Sequence, residues 1–145
     1  MTGIVVFASG RGTTLQAIIE AVRGHRILAS ISAVISDHDD SGALERARVS
    51  GIRAIFMDPS PGKEKFYAGI MRELAGISPE IIVLAGFMRI IPTEILLNFT
   101  APVINLHPSL LPCFGPWAIS AGTASGYFSR LVTFAPSATE NPSER

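Results

Sequence analysis

Asn105 and His107 stand two residues apart at the end of the apolar run Val103-Ile-Asn-Leu106, just before Pro108. In extended backbone alternate side chains point to the same face, so the amide and the imidazole would share one crevice. An amide can donate to a developing oxyanion, and an imidazole can carry a proton near neutral pH. That pairing suits acyl-type transfer. The plainer alternative is a polar pair that satisfies backbone groups at a strand end, with Pro108 fixing the turn.

Two further segments could complete such a site. Ser9-Gly-Arg-Gly-Thr-Thr14 lies between an apolar run and a helical pattern, where glycines allow close backbone approach and the helix start favours an anion. Gly10 and Gly12 match part of a dinucleotide fingerprint, but position 15 is Leu15 where a third glycine belongs, and no Lys follows as in a P-loop. A single phosphate held by Gly12, Thr13 and Thr14 fits better; an ordinary capped helix start is the alternative. In Leu84-Ala-Gly-Phe-Met-Arg-Ile-Ile91, Gly86 breaks an apolar run. Met88, Ile90 and Ile91 could line a slot for a flat aromatic ligand. The competing account is a packed loop with Arg89 capping a nearby group.

These segments need elements to hold them. Ile4–Ala8, Ile27–Ile35, Ala54–Met57, Ile81–Ala85 and Val103–Leu106 read as five strands. Between them, Leu15, Ile18, Ile19 and Val22 repeat at helical spacing, with Thr13 or Thr14 as cap and Gly24 as stop. Ala43–Val49 reads as a second helix and Lys63–Ile77 as a third, carrying Phe66, Ile70 and Leu74 on one face. Pro92 opens a short helix through Leu97. Regular alternation of strand and helix predicts an open, doubly wound, mostly parallel sheet whose ligands bind outside the carboxyl ends of the strands. All three candidate segments fall at such ends.

Composition narrows the function classes. The 145 residues suit a single domain with a real core; 48% are hydrophobic and 17% charged. Lys+Arg and Asp+Glu number 12 each, so no net charge favours nucleic acid or an anionic membrane. Cys113 is the single cysteine, which excludes an internal disulfide framework and a cysteine zinc site. His38 lies among Asp37, Asp39 and Asp40, but consecutive loop carboxylates rarely share one ion, and no metal is expected. No apolar run approaches the ~20 residues that span a bilayer, and no basic segment precedes Ile4, so a cytoplasmic location is expected. After Pro112 the alternation stops. Residues 113–145 are rich in Gly, Ala, Ser and Pro, and only Phe128–Phe134 could form a strand.

Together, Ile4-Val-Val-Phe-Ala-Ser-Gly-Arg-Gly-Thr-Thr-Leu-Gln-Ala17, Leu44-Glu-Arg-Ala-Arg48, Val83-Leu-Ala-Gly-Phe-Met-Arg-Ile90 and Asn105-Leu-His-Pro-Ser-Leu-Leu-Pro112 resemble the phosphoribosylglycinamide formyltransferases (glycinamide ribonucleotide transformylases) of purine synthesis. The likeness covers essentially Met1 to Pro112. It implies a Rossmann-like formyltransferase fold at residues 1–112, truncated after the fifth strand, with 113–145 as a divergent, partly disordered tail. It also implies transfer of a formyl group from 10-formyltetrahydrofolate to the amine of glycinamide ribonucleotide, without a metal. By resemblance Gly12, Thr13 and Thr14 would hold the ribonucleotide phosphate. Met88, Arg89, Ile90, Ile91 and Leu106 would line the folate slot. Asn105 would bind the formyl oxygen, and His107 would support that oxyanion and move protons. The partners implied are small molecules, not nucleic acid or membrane. The family pattern continues with a catalytic Asp, and this sequence has no Asp after Asp58. Impaired turnover is therefore expected, and an inactive nucleotide-phosphate binding module or an interaction fragment is the alternative.

Overall fold

The computed structural model describes residues 1–106 and the backbone of residues 131–134. Short β-branched runs form its strands because side chains buried on both faces leave no polar alternation. They are β1 (Thr2–Phe7), β2 (Ala29–Ser36), β3 (Ala54–Phe56), β4 (Ile81–Ala85) and β5 (Val103–Leu106). A sixth, β6 (Leu131–Phe134), lies inside the one segment after Pro112 with strand character. It pairs parallel to β5, with Asn105 opposite Thr133, so the sheet extends one strand beyond the five read from the sequence.

All pairings are parallel and the order is β3-β2-β1-β4-β5-β6. The helices are α1 (Thr13–Arg23), α2 (Gly42–Val49), α3 (Lys63–Ile77) and α4 (Thr93–Asn98). Leu15 and Ile19 of α1 and Ala43, Leu44 and Ala47 of α2 cover one sheet face with Ile4, Val6, Val34 and Val83. Phe66, Tyr67, Ile70 and Leu74 of α3 and Leu96 of α4 cover the other with Val5, Phe7, Ile35, Ile82 and Val103. The predicted α3 face is the buried one; each such side chain contributes roughly 1.5–3 kcal/mol. Since the chain leaves β1 toward one face and β4 toward the other, the order reverses between these neighbours. A crevice must open there, above their carboxyl ends.

One local detail departs from the sequence reading. Neither Thr13 nor Thr14 caps α1; Gly12 is its N-cap, in the left-handed region at φ 77°, with no side-chain hydrogen bond. Helix α3 ends at Ile77, as the pattern predicts, with Ser78 as its C-cap in the left-handed region at φ 51°. No helix among the described residues is long and apolar enough to cross a membrane.

Candidate active site

The loop after β1 is set by backbone packing against α2. A Cβ on Gly12 would lie 2.7 Å from Ala43 Cα, and one on Gly42 would lie 2.6 Å from the Arg11 carbonyl oxygen. The Ala43 N–H donates to the Gly10 carbonyl at 3.1 Å, and Arg46 Nε donates to the Arg11 carbonyl at 2.8 Å. These contacts hold the chain in the left-handed turn that begins α1. Thr13 is exposed and Thr14 half-buried there. First-turn N–H groups have no partner within their own helix. With hydroxyls not spent on capping, Gly12, Thr13 and Thr14 present a compact set of donors suited to a phosphate.

The loop after β4 is fastened to three other elements. Gly86 turns it at φ 73°. Ser9 knits it to β1: its N–H donates to the Gly86 carbonyl at 3.2 Å, and its Oγ accepts the Met88 N–H at 2.9 Å. Tyr67 of α3 donates its hydroxyl to the Ile90 carbonyl at 3.0 Å. Arg89 Nε donates to Asp37 Oδ2 at 2.7 Å, just past β2, and its guanidinium carbon stands 5.2 Å from the Phe66 ring centroid. Thus the group that Arg89 caps is Asp37. The loop still offers apolar surface, since Met88 and Ile90 are each 80% exposed. Ile91 instead turns into the core beneath them.

Asp37 is the electrostatic centre of this arrangement, with a side chain only 2% exposed. Its Oδ1 lies 3.0 Å from His38 Nδ1. Burial pushes its carboxyl up, but hydrogen bonds from Ser9, His38 and its own backbone, with the charge of His38, outweigh that and hold it below the usual carboxylate value. Burial pushes the Tyr67 hydroxyl up, which Arg89 opposes and Asp37 reinforces. Tyr67 is therefore a neutral donor throughout the physiological range.

Asn105 comes to this crevice along the sheet. Phe7 pairs with Leu84, and Leu84 with Asn105, so the three share one row across β1, β4 and β5. Adjacent strands stand about 4.8 Å apart, which puts Asn105 roughly 10 Å from the start of the phosphate-type loop. Alternation from buried Val103 places Asn105 on the α3 face of the sheet. Leu106 packs against the α1-face core, so the structure does not bring it to Met88, Arg89 and Ile90. It lines an apolar groove of about 360 Å³ with Ile4, Ile18, Val83 and Ile104. His107 lies outside the described residues.

A family model described as formyl transferase matches residues 2–126. The chain belongs to the formyl transferase family. Over 111 residues it is 38% identical to the phosphoribosylglycinamide formyltransferase of Escherichia coli (strain K12), covering 75% of this chain and 52% of that protein. The Bacillus subtilis (strain 168) phosphoribosylglycinamide formyltransferase is 34% identical over 116 residues, 79% of this chain and 60% of its own. Among solved structures, glycinamide ribonucleotide transformylase 1 from Symbiobacterium toebii superposes with a TM-score of 0.72 at 41% identity, over 83% of this chain and 59% of that one. The chain therefore spans about half to three-fifths of the length of these relatives. The family match extends beyond Pro112, up to Gly126.

Set in this formyl transferase sheet, the site includes three residues that the sequence reading did not assign: Ser9, Asp37 and Tyr67. Asp37 had one available signal, its place at the carboxyl end of a strand next to the switch point. Its acidic neighbours Asp39 and Asp40 obscured that signal by suggesting a metal cluster. Ser9 and Tyr67 had none, because their partners lie 79 and 23 residues away.

Proposed function

We propose that this chain carries the catalytic half-site of a one-carbon transferase, which moves a formyl group from 10-formyltetrahydrofolate to the amine of glycinamide ribonucleotide in purine synthesis. The observation that carries the reading is convergence: the loops after β1 and β4 and the polar residue of β5 occupy the carboxyl ends of three adjacent parallel strands. Gly12, Thr13 and Thr14 hold the phosphate. Met88 and Ile90 supply the exposed apolar wall of the folate slot, with Arg89 between them and Ile91 anchoring the segment from the core. Leu106 stands at the end of β5, opposite Ala85.

The chemistry follows from these positions. The amine attacks the formyl carbon, a nitrogen–carbon bond forms, and the carbonyl oxygen gains charge as a tetrahedral centre develops. Asn105 donates a hydrogen bond to that oxygen, and such a donor is worth about 10²–10³ in rate. His107 supports the oxyanion and carries the proton from the attacking amine toward the departing folate nitrogen. A second reading, a phosphate-binding module without turnover, draws on the same loop after β1 alone.

Formyl transfer assayed beside a His107→Ala variant, with calorimetry of both ligands, separates the two. Turnover above the variant supports the transferase. Ribonucleotide binding without folate binding or turnover supports the second reading and removes the first.

A further inference from the structure

Segment 86–91 carries two of the most exposed large apolar side chains in the described residues, yet it is held by four hydrogen bonds from outside itself. Exposed apolar loops without such ties are normally among the first parts of a protein to open. Two of these ties, at Met88 and at Arg89, lead to one buried group, Asp37. Ser9 Oγ accepts the Met88 N–H, so its single hydroxyl proton is available to Asp37, which it stabilises as a carboxylate. The further partners of Asp37 are Arg89 Nε on Oδ2 and His38 Nδ1 on Oδ1. Only an acceptor on both sides can receive donors from the loop after β1, from the loop after β4 and from its own neighbour together.

We propose that Asp37 is a positioning residue that fixes both ends of the Met88–Arg89 pair, through the Ser9 hydroxyl at Met88 and directly at Arg89. It thereby shapes the slot into which a flat, aromatic folate ring packs. The ligand in this inference rests on the function proposed above; the geometry does not. Arg89 is 41% exposed, and its Nε bond to Asp37 with the Phe66 ring beneath restricts the direction of the guanidinium fork. The charged groups facing Asp37 are His38 from its own loop and Arg89 from the loop after β4, while Tyr67 faces the pair from α3.

Asp37→Asn in the full chain tests this. Asparagine keeps the shape but turns one acceptor into an NH₂ donor, which must then face Arg89, Ser9 or His38. Two readouts follow: hydrogen exchange at the Met88 amide, and calorimetric affinity for tetrahydrofolate and for glycinamide ribonucleotide. Loss of a charge-assisted bond predicts about tenfold weaker tetrahydrofolate binding, about tenfold faster Met88 exchange, and ribonucleotide binding within about twofold. Leu74→Ala is the stability control, because it removes core volume in the last turn of α3, while the loop's hydrogen bond and ring contact from that helix come from Tyr67 and Phe66 in its first turns. It should leave the ratio of the two affinities unchanged. Equal weakening of both ligands in both variants, or unaltered Met88 exchange and folate affinity in Asp37→Asn, would overturn the proposal. If the unaltered chain binds ribonucleotide but no tetrahydrofolate, the functional reading fails, and Met88 exchange in Asp37→Asn relative to Leu74→Ala decides the positioning role by itself. Should Asp37→Asn fold poorly, Arg89→Gln probes the same contact from its exposed side, with the same expected and refuting results.

Discussion

Four glycines around the crevice separate two costs that are usually confounded. Gly12 has both a positive φ and a crowded Cβ position, Gly86 only the positive φ, Gly42 only the crowding, and Gly10 neither. Alanine at each in turn therefore forms a factorial experiment. At Gly86, with nothing within 4 Å, the left-handed backbone alone should cost about 1–2 kcal/mol. At Gly42 the 2.6 Å approach to a backbone oxygen cannot be relieved by a rotamer change, and a shift of the loop costs about 1–3 kcal/mol. At Gly12 both apply, for about 2–5 kcal/mol in sum. Gly10→Ala should lie within about 0.5 kcal/mol of zero or stabilise slightly by restricting the unfolded chain. Urea melts with a constant m-value read these differences directly. In a chain of 145 residues each kcal/mol also moves the melting temperature by roughly 2–4 °C. Ribonucleotide calorimetry on the same variants should find binding weakened by Gly12→Ala. If Gly12→Ala and Gly10→Ala melt together, the loop is not held by α2, and the packing account of the Gly12 turn fails.

Three other outcomes follow from the site. Asp37 has a lowered carboxyl pKa in the folded chain, so its contribution to stability is fully present above the unfolded value of about 3.9 and is lost as pH falls through the lower folded value. Acid titration of Asp37→Asn should accordingly show a shallower loss of stability below pH about 4 than the unaltered chain; identical slopes would refute the linkage. Tyr67→Phe removes the hydroxyl that binds the Ile90 carbonyl and should cost about 0.5–1.5 kcal/mol in denaturant melts, with faster local opening of segment 86–91 by hydrogen exchange. Asn105→Ala should lower formyl transfer by about 10²–10³ while leaving ribonucleotide affinity unchanged, and an equal loss of both would remove Asn105 from the reaction.

The elements were legible where local signals agreed. Ile81–Ala85 is an apolar run between Pro79-Glu80 and Gly86, and Lys63–Ile77 shows its apolar face at helical spacing; both have the bounds the pattern predicts. Contacts between segments distant in sequence were not legible. The α1 cap was assigned to Thr13 or Thr14 because hydroxyls are good caps, but the Gly12 turn is dictated by Ala43, thirty-one residues later. Arg89 could be seen to cap something, yet its partner Asp37 lies 52 residues away.

Leu106 differs from these cases, because local reasoning was sufficient to place it. The period of two on which the expected pairing of Asn105 with His107 rests also turns Leu106 to the opposite face, where it packs against the cluster that contains Ile4, Val6 and Leu15. Grouping it with Met88, Arg89 and Ile90 followed family likeness where strand geometry pointed elsewhere. The distinction matters for which residues would control folate specificity in the proposed transferase. A substitution at Leu106 alters the α1-face core and should act through stability, whereas one at Met88 or Ile90 changes exposed surface and should act through affinity. Leu106→Ala is thus expected to lower the unfolding free energy from urea melts by about 1–2 kcal/mol for a half-buried leucine, at constant folate affinity. Met88→Ala should do the reverse, and finding both effects at both positions would mean that the two faces share one slot.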